Sequence, residues 1–352
     1  SPFDGIFIFR DLDGDGLALD PSEGGVWFDR TNAEGLLGET SNFTAIHATA
    51  SGAVFAADVD SRAVYRLRDV NGDGDAQDAG ESAVFFDASN MSGITIGVPS
   101  GLASDASGAV YLTLAGSVAN NEPDAIVRLI DLNGDGDAQD SMEAVIWADL
   151  QAFKSGDSVP FEIIIREDGT ALYIEFAGSP DTVRLLRDEN NNGVIDANEQ
   201  SIFIADGAFG VDFGFALAAD SGVLVQTNSG STQGLWRLTD LDESGSIDSE
   251  QEVAFLWSEN QNADGLTIGT SFDLDAGSGG RVFLLDSGTN DHIIVLEDLN
   301  GDGDYLDAGE TKIFAVGAVH NFDRPRSMTF LPNAESIAPL KEIGRASCRE
   351  RV

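Results

Sequence analysis

Residues 101–149 read GLASDASGAVYLTLAGSVANNEPDAIVRLIDLNGDGDAQDSMEAVIWAD and contain one complete repeating unit. Two extended runs meet at the turn Ser107-Gly108, and a third run (AIVRLI) follows. An acidic loop that begins at Asp131 separates the third run from a fourth (AVIWAD). Short hydrophobic runs joined by Gly- and Asp-rich turns are typical of β-hairpins. This stretch therefore predicts four antiparallel strands, A to D, with the acidic loop between C and D.

The same pattern occurs six times along the chain. Its acidic loops begin at Asp11, Asp69, Asp131, Asp188, Asp240 and Asp298, which are 52 to 62 residues apart. Four antiparallel strands per repeat are the pattern of a β-propeller blade. The N-terminus begins on strands C and D, five complete repeats follow, and residues 326–334 (RSMTFLPNA) resemble strand A. We therefore predict an all-β, six-bladed propeller over residues 1–335, closed by this C-terminal A strand joining the N-terminal strands. A larger ring truncated at both ends is the alternative.

The two ends of the chain differ from the repeats. Residues 342–352 (EIGRASCRERV) contain the only cysteine, Cys348, and resemble a translated DNA-sequencing adapter, so we expect them to be non-native. Residues 336–341 form a short tail before this segment. Because the chain begins at Ser1 rather than at Met, we expect the natural protein to be longer. Without Cys348, no disulfide, zinc–thiolate site or thiol nucleophile is expected.

The acidic loops have the pattern of calcium sites. Asp131, Asn133 and Asp135 place oxygen atoms at positions 1, 3 and 5, and Gly136 permits a sharp bend at position 6. Oxygen ligands without His or Cys favour calcium over zinc or copper, and magnesium requires a stricter geometry. We predict up to six calcium ions, in loops 11–23, 69–81, 131–143, 188–200, 240–252 and 298–310. The predicted ligands are Asp11, Asp13, Asp15, Asp20, Glu23, Asp69, Asn71, Asp73, Asp75, Asp78, Glu81, Asp131, Asn133, Asp135, Asp137, Asp140, Glu143, Asp188, Asn190, Asn192, Asp196, Glu199, Asp240, Asp242, Ser244, Asp248, Asp298, Asn300, Asp302, Asp304, Asp307 and Glu310.

The spacing within the loops supports this interpretation. In each loop a late Asp precedes the last ligand position by three residues, and an aromatic residue follows that position by four. The aromatic residues are Trp27, Phe85, Trp147, Phe203, Phe255 and Phe314. In the Asp240 loop the last position holds the neutral Gln251, for which Glu252 could substitute. The loops at Asp188 and Asp240 have fewer carboxylates in the ligand positions, so we expect them to fill last. The alternative is that Asp, Asn and Gly only mark solvated turns.

Composition limits the possible functions. The 352 residues include 61 Asp+Glu and 19 Lys+Arg, for a net charge of −42. Such a charge repels phosphate groups, so we expect no nucleic-acid partner. No apolar run has the length of a membrane-spanning helix. Exposed calcium loops often bind at about 10⁻⁴ to 10⁻³ M, which is useful outside cells. We therefore expect a secreted or cell-surface monomer that needs calcium to stay folded and binds an unidentified protein or glycan.

A family resemblance adds to this interpretation. The segment D-x-S-G-x-V-Y (Asp105 to Tyr111), followed by a strand and D-x-N-G-D-G, resembles secreted bacterial β-propellers of the NHL and gluconolactonase-like type. The resemblance covers about residues 3–335. The loops are similar to those of EF-hands and dockerins, but a dockerin carries two loops in a much shorter helical module. The resemblance implies the propeller fold and an alternative function, a metal-dependent lactone or ester hydrolase with a central metal.

The candidates for such an active site are few. Polar residues expected near the propeller axis are Glu162, Asp212, Asp273 and Asp323, with His320 nearby. Gluconolactonase-like enzymes hold their metal with one Glu, two Asn and one Asp, and here no Asn pair falls on equivalent positions. The alternative is that these acids line a solvated channel. No G-x-S-x-G motif is present. Our first hypothesis is therefore a calcium-binding structural or binding module, and the hydrolase is the second.

Overall fold

The computed structural model describes residues 5–331 and 345–347, except residues 39–40, 118–119, 121, 154–157, 177–179, 213, 215, 228–233 and 289. The fold is an all-β propeller with four-stranded antiparallel blades. The chain divides into two compact units, which are described separately below. The middle unit comprises residues 30–205, and the terminal unit comprises residues 1–29 together with residues 206–352.

The middle unit contains three four-stranded sheets in which strands A to D are neighbours in chain order. The first comprises β3 (Phe43–Ala48), β4 (Val54–Asp58), β5 (Ala63–Leu67) and β6 (Ser82–Phe86). The second comprises β7 (Val98–Ser104), β8 (Val110–Ala115), β9 (Ala125–Leu129) and β10 (Ala144–Asp149). The third comprises β11 (Pro160–Ile165), β12 (Ala171–Glu175), β13 (Thr182–Leu186) and β14 (Gln200–Ala205). A one-turn helix, α1 (Leu150–Phe153), follows β10.

The terminal unit contains two further four-stranded sheets and a smaller one. The four-stranded sheets comprise β15 (Leu217–Ala219), β16 (Val223–Thr227), β17 (Gly234–Leu238) and β18 (Val253–Ser258), and then β19 (Ser271–Ala276), β20 (Val282–Asp286), β21 (His292–Leu296) and β22 (Thr311–Val316). The smaller sheet has the order β2-β1-β23, with β1 (Gly5–Phe9), β2 (Gly24–Asp29) and β23 (Arg345–Ser347). A second one-turn helix, α2 (Gly317–His320), follows β22.

The predicted hairpins and strand order are confirmed, and local chemistry explains them. Between β7 and β8, for example, Gly108 has a φ of 88°, a conformation that favours glycine. The alternating side chains of the strands pack into continuous apolar clusters between neighbouring sheets of one unit. Among the residues that the structure describes, no helix is long and apolar enough to cross a membrane.

The predicted closure of the sixth blade is wrong. Five sheets have four strands, whereas the sheet of β1 and β2 gains only β23, which lies within the segment predicted to be non-native. The described part of the predicted A strand, residues 326–331, forms no strand, and residues 332–334 lie outside the described residues. The reason is that backbone N–H groups of residues 326–331 donate to side chains of β19. Met328 and Phe330 donate to the carboxylates of Asp273 and Asp275 at 2.6 and 3.2 Å.

Candidate metal centres

Each acidic loop is organised around its first aspartate. In all six loops the backbone N–H of the glycine at position 6 donates to Oδ2 of the aspartate at position 1, at 2.8–3.0 Å. Those glycines have φ values between 81° and 105°, so a residue with a side chain would be strained there. This explains why the glycine occurs in every repeat. The glycines are Gly16, Gly74, Gly136, Gly193, Gly245 and Gly303.

The glutamate at the end of each loop holds the loop backbone. Glu143 is 1% exposed, and its Oε1 accepts the N–H groups of Leu132 and Asn133 at 2.9 and 3.2 Å. Its Oε2 accepts the N–H of Asp140 at 3.1 Å. Equivalent bonds reach both carboxylate oxygens of Glu23, Glu81, Glu199, Glu252 and Glu310. These glutamates therefore close the loop, while their remaining lone pairs stay available to a cation.

The Asp240 loop differs from its predicted alignment. Glu252, rather than Gln251, holds the loop, since its carboxylate accepts the N–H groups of Leu241 and Asp248, both at 2.9 Å. The predicted spacing of three residues between the late Asp and the last ligand position is wrong here. Residues 250–252 form a 3₁₀ turn that begins with a capping box, so that Glu252 follows Asp248 by four residues. Glu252 was considered only as a substitute in the sequence, because the spacing of the other loops favoured Gln251.

The shift changes which side chain of β18 enters the core. The residue four positions after Glu252 is Leu256, which is 0% exposed. Trp27, Phe85, Trp147, Phe203 and Phe314, the predicted core aromatics of the other repeats, are each at most 4% exposed. Phe255 is only partly buried, so its predicted packing role is wrong. A one-residue change of register moves a strand side chain to the opposite face of its sheet.

Four loops bring three carboxylates together, with one oxygen of each within 4.8 Å of the others. The groups are Asp11, Asp13 and Asp15; Asp73, Asp75 and Glu81; Asp135, Asp137 and Glu143; and Asp240, Asp242 and Glu252. The loops at Asp188 and Asp298 have no such group among the described residues. In the Asp188 loop, the amides of Asn190 and Asn192 both donate to Oδ2 of Asp196, at 2.8 and 3.0 Å. The expected weak site at Asp188 is thus poor in carboxylates, whereas the Asp240 loop has as many close carboxylates as the loops at Asp11, Asp69 and Asp131.

Charge repulsion within the loops affects proton binding. The carboxylate of Asp242 raises the pKa of Asp248 above its ordinary value. Burial, together with the neighbouring carboxylates of each loop, raises the pKa values of Asp75 and Asp137. A group of close carboxylates that favours protons also favours a divalent cation, because both neutralise the same charge. All ligand atoms offered are oxygens, so the donor set fits a hard cation such as calcium.

The loops also join neighbouring blades within each unit. In the middle unit, the N–H of Ala138 in the third loop donates to the carbonyl of Phe85 in the preceding sheet at 2.8 Å. The N–H of Ile195 in the fourth loop donates in the same way to Trp147 at 2.7 Å. In the terminal unit, Tyr305 donates to Leu256 at 2.8 Å. In these three cases the loop of one blade is hydrogen-bonded to strand D of the blade before it.

The candidates for the hydrolase site lie in different surroundings. In the middle unit, Glu162 lies on β11 and is partly exposed. In the terminal unit, Asp273 is 5% exposed on β19, and burial raises its pKa to about 8. Its neighbour on the same face of β19, Asp275, was not predicted, and burial raises the pKa of Asp275 to about 7. The described residues contain no group of three metal-ligating side chains that includes Asp273.

The other candidates have local partners. Burial, together with the neighbouring carboxyl group of Asp323, raises the pKa of Asp291. Asp212 follows a short 3₁₀ turn and lines a cavity beside β17 and β18. His320 is 7% exposed on α2, and its Nε2 lies 2.7 Å from the carbonyl oxygen of Ala18. Its ring packs against Phe9, so His320 supports the smaller sheet.

Comparison with known proteins establishes the fold. Neither a protein-family model nor a curated protein matches the chain. A chain of a nidogen/laminin complex is 13% identical, with 89% of this chain and 97% of that chain covered and a TM-score of 0.52. A gluconolactonase from Xanthomonas campestris is 13% identical, with 87% and 86% covered and a TM-score of 0.50. A luciferin-regenerating enzyme is 9% identical, with 87% and 91% covered and a TM-score of 0.54.

Proposed function

We propose that the chain is a calcium-binding β-propeller, secreted or on the cell surface, that acts as a binding or structural module. The observation that carries this proposal is the grouping of three carboxylates within 4.8 Å in each of four repeated loops. Each loop holds its backbone with a buried glutamate and a glycine, so the remaining carboxylate oxygens are arranged before a cation binds. Such preorganisation reduces the cost of binding.

The position of the loops predicts what the cations do. The loops at Asp131, Asp188 and Asp298 are hydrogen-bonded to the preceding blade of their unit, so a cation that orders one of these loops also strengthens the contact between blades. A ligand that binds only the folded chain stabilises it by about 2.7 kcal/mol per site at 100 times its Kd. With a net charge of −42, neutralising the loops also reduces the repulsion within the folded chain. Calcium should therefore stabilise the whole fold.

Calorimetry on metal-stripped protein tests the proposal. We expect calcium to bind at up to six sites and to raise the melting temperature, with a smaller effect of magnesium at equal concentration. Asp135→Asn should weaken one site because it removes a carboxylate of the third loop. Asp60→Asn is the matched control, since Asp60 is exposed and lies outside the loops. A melting temperature that is the same in calcium and in a chelator would refute the proposal.

A metal-dependent lactone or ester hydrolase is the second candidate. The carboxyl pair of Asp273 and Asp275 favours it, because groups that hold a proton near neutral pH can act as general acids. The gluconolactonase named above has the same fold, which is consistent with this candidate. If the candidate is correct, the protein hydrolyses gluconolactone or phenyl acetate, and Asp273→Asn reduces the rate about 100-fold while Asp60→Asn does not. Absence of hydrolysis at every calcium concentration would eliminate it.

A further inference from the structure

A cavity of about 330 Å³ lies in the terminal unit beside β17 and β18. Its apolar wall is formed by Trp236 and Phe255, whose ring centroids are 4.9 Å apart with the planes inclined at 65°. Polar side chains surround the rings, and those that matter below are Asp212, Ser258, Asn260 and Gln261. Ligand sites in proteins typically combine an apolar floor with a few polar groups in this size range. None of these residues belongs to the calcium loops.

The aromatic wall is a consequence of the changed register in this blade. Because Glu252 ends the loop, Phe255 lies three residues beyond it and pairs with Trp236 across the two strands. The equivalent residue in every other sheet is aliphatic: Val26, Val84, Ile146, Ile202 and Ile313. Blade packing therefore does not require an aromatic residue at this position. The pair of rings distinguishes this blade from the other five sheets.

A buried hydroxyl without a hydrogen-bond partner in the described part of the chain lies beside the cavity. Ser258 is 4% exposed, and its Oγ has no hydrogen-bond partner among the described residues. A buried polar atom without a partner costs free energy, so such atoms are usually paired. Ser258 is one of the residues that line the cavity, so a ligand there lies close to this unpaired hydroxyl. The nearby Thr227 has no such vacancy, because its Oγ1 already accepts the N–H of Gly234 at 2.8 Å.

We propose that this cavity binds a neutral saccharide of one or two rings. The C–H face of a pyranose is apolar and weakly positive, so it packs on the negative face of an indole or phenyl ring. Its hydroxyls both donate and accept, which suits the carboxylate of Asp212, the amides of Asn260 and Gln261, and the hydroxyl of Ser258. The net charge of −42 disfavours an acidic sugar. A quaternary ammonium ion would use the rings and the carboxylate but not the amides and the hydroxyl.

Tryptophan fluorescence provides the test. Trp236 is partly exposed, whereas Trp27, Trp147 and Trp257 are each at most 4% exposed, so a ligand in the cavity should change mainly the emission of Trp236. Calcium-saturated protein is titrated with the methyl glycosides of glucose, mannose and galactose, with N-acetylglucosamine, and with maltose and cellobiose. Choline and glucuronate are titrated in parallel. We expect at least one neutral sugar to bind with a Kd of about 1 mM or below.

Because Trp236→Ala removes the fluorescent reporter, the variants are titrated with sugar by calorimetry, which assigns the binding to the cavity. Trp236→Ala and Phe255→Ala should weaken binding at least about tenfold, and Ser258→Ala should weaken it less. Ile202→Ala is the matched control, because Ile202 is the counterpart of Phe255 in another sheet, and it should bind as the unchanged protein does. Calcium titration of each variant shows that the loops still function. No neutral sugar binding, choline binding alone, or sugar binding that survives Trp236→Ala would each overturn the saccharide site without affecting the calcium proposal.

Discussion

The buried glutamate of a loop and its proposed calcium ligands should respond differently to substitution. Glu143→Gln replaces one carboxylate oxygen by an NH₂ group, which cannot accept a hydrogen bond. The amide loses fewer hydrogen bonds when its oxygen takes the place of Oε1. It then still accepts the N–H groups of Leu132 and Asn133, and the N–H of Asp140 loses its acceptor. Since Glu143 is 1% exposed, water cannot replace the lost bond.

The expected cost follows from these three bonds. A hydrogen bond to a charged acceptor contributes about 1.5–3 kcal/mol, and the two bonds that remain become neutral and weaker. We therefore expect Glu143→Gln to lower the free energy of unfolding by about 3 kcal/mol. For a chain of 352 residues that corresponds to a fall of about 4 °C in the melting temperature. The loss should be present with calcium and with a chelator, because the bonds exist without a cation.

Asp140→Asn is the matched variant in the same loop. Asp140 is a proposed ligand, and within the described part of the chain its Oδ2 accepts only the side-chain amide of Asn133, at 2.7 Å. We expect this variant to lower the melting temperature in calcium and to have little effect in a chelator, where it removes one repelling charge. Scanning calorimetry of both variants in both buffers separates the two roles. If the effect of Glu143→Gln disappears in the chelator, the glutamate acts only as a ligand and our account of the loop is wrong.

Three further predictions concern other parts of the chain. Gly24→Ala would place a Cβ 2.5 Å from Nδ1 of His320, so we expect it to destabilise the fold by about 1–3 kcal/mol, whereas Gly25→Ala, with no atom within 4 Å, should change the melting temperature little. Burial raises the pKa of Asp273 from its ordinary value of 3.8 to about 8. Between these two pH values the folded state keeps a proton that the unfolded chain has released. Stability at constant calcium should therefore fall as pH rises from about 4 to 8, and melting curves of Asp273→Asn should depend less on pH; an equal dependence would contradict this. Asn190→Asp adds a carboxylate to the loop that we expect to bind calcium most weakly, so calorimetry should show several-fold tighter calcium binding there, and unchanged binding would contradict this expectation.

Much of this protein can be read from short-range patterns. The turns, the alternating strands and the loop that begins at Asp131 each depend on residues close together in the chain. Hydrogen bonds such as those from Gly136 to Asp131 and from Asp140 to Glu143 span only a few residues. Local steric and hydrogen-bonding preferences therefore determined the strand order within the blades, the loop geometry and the grouping of acids.

Other features depended on contacts between distant segments. Pairing of a strand edge uses backbone groups that every residue has, so the sequence could not decide whether residues 326–334 or 345–347 lie beside β1. The carboxylates of Asp273 and Asp275 accept the N–H groups of Met328 and Phe330, and only the tertiary structure brings these groups together. The register of β18 was likewise undecided between Gln251 and Glu252, and the cavity at Phe255 depends on it. Sequence thus determined what forms within a repeat, and tertiary structure decided which groups from separate segments meet.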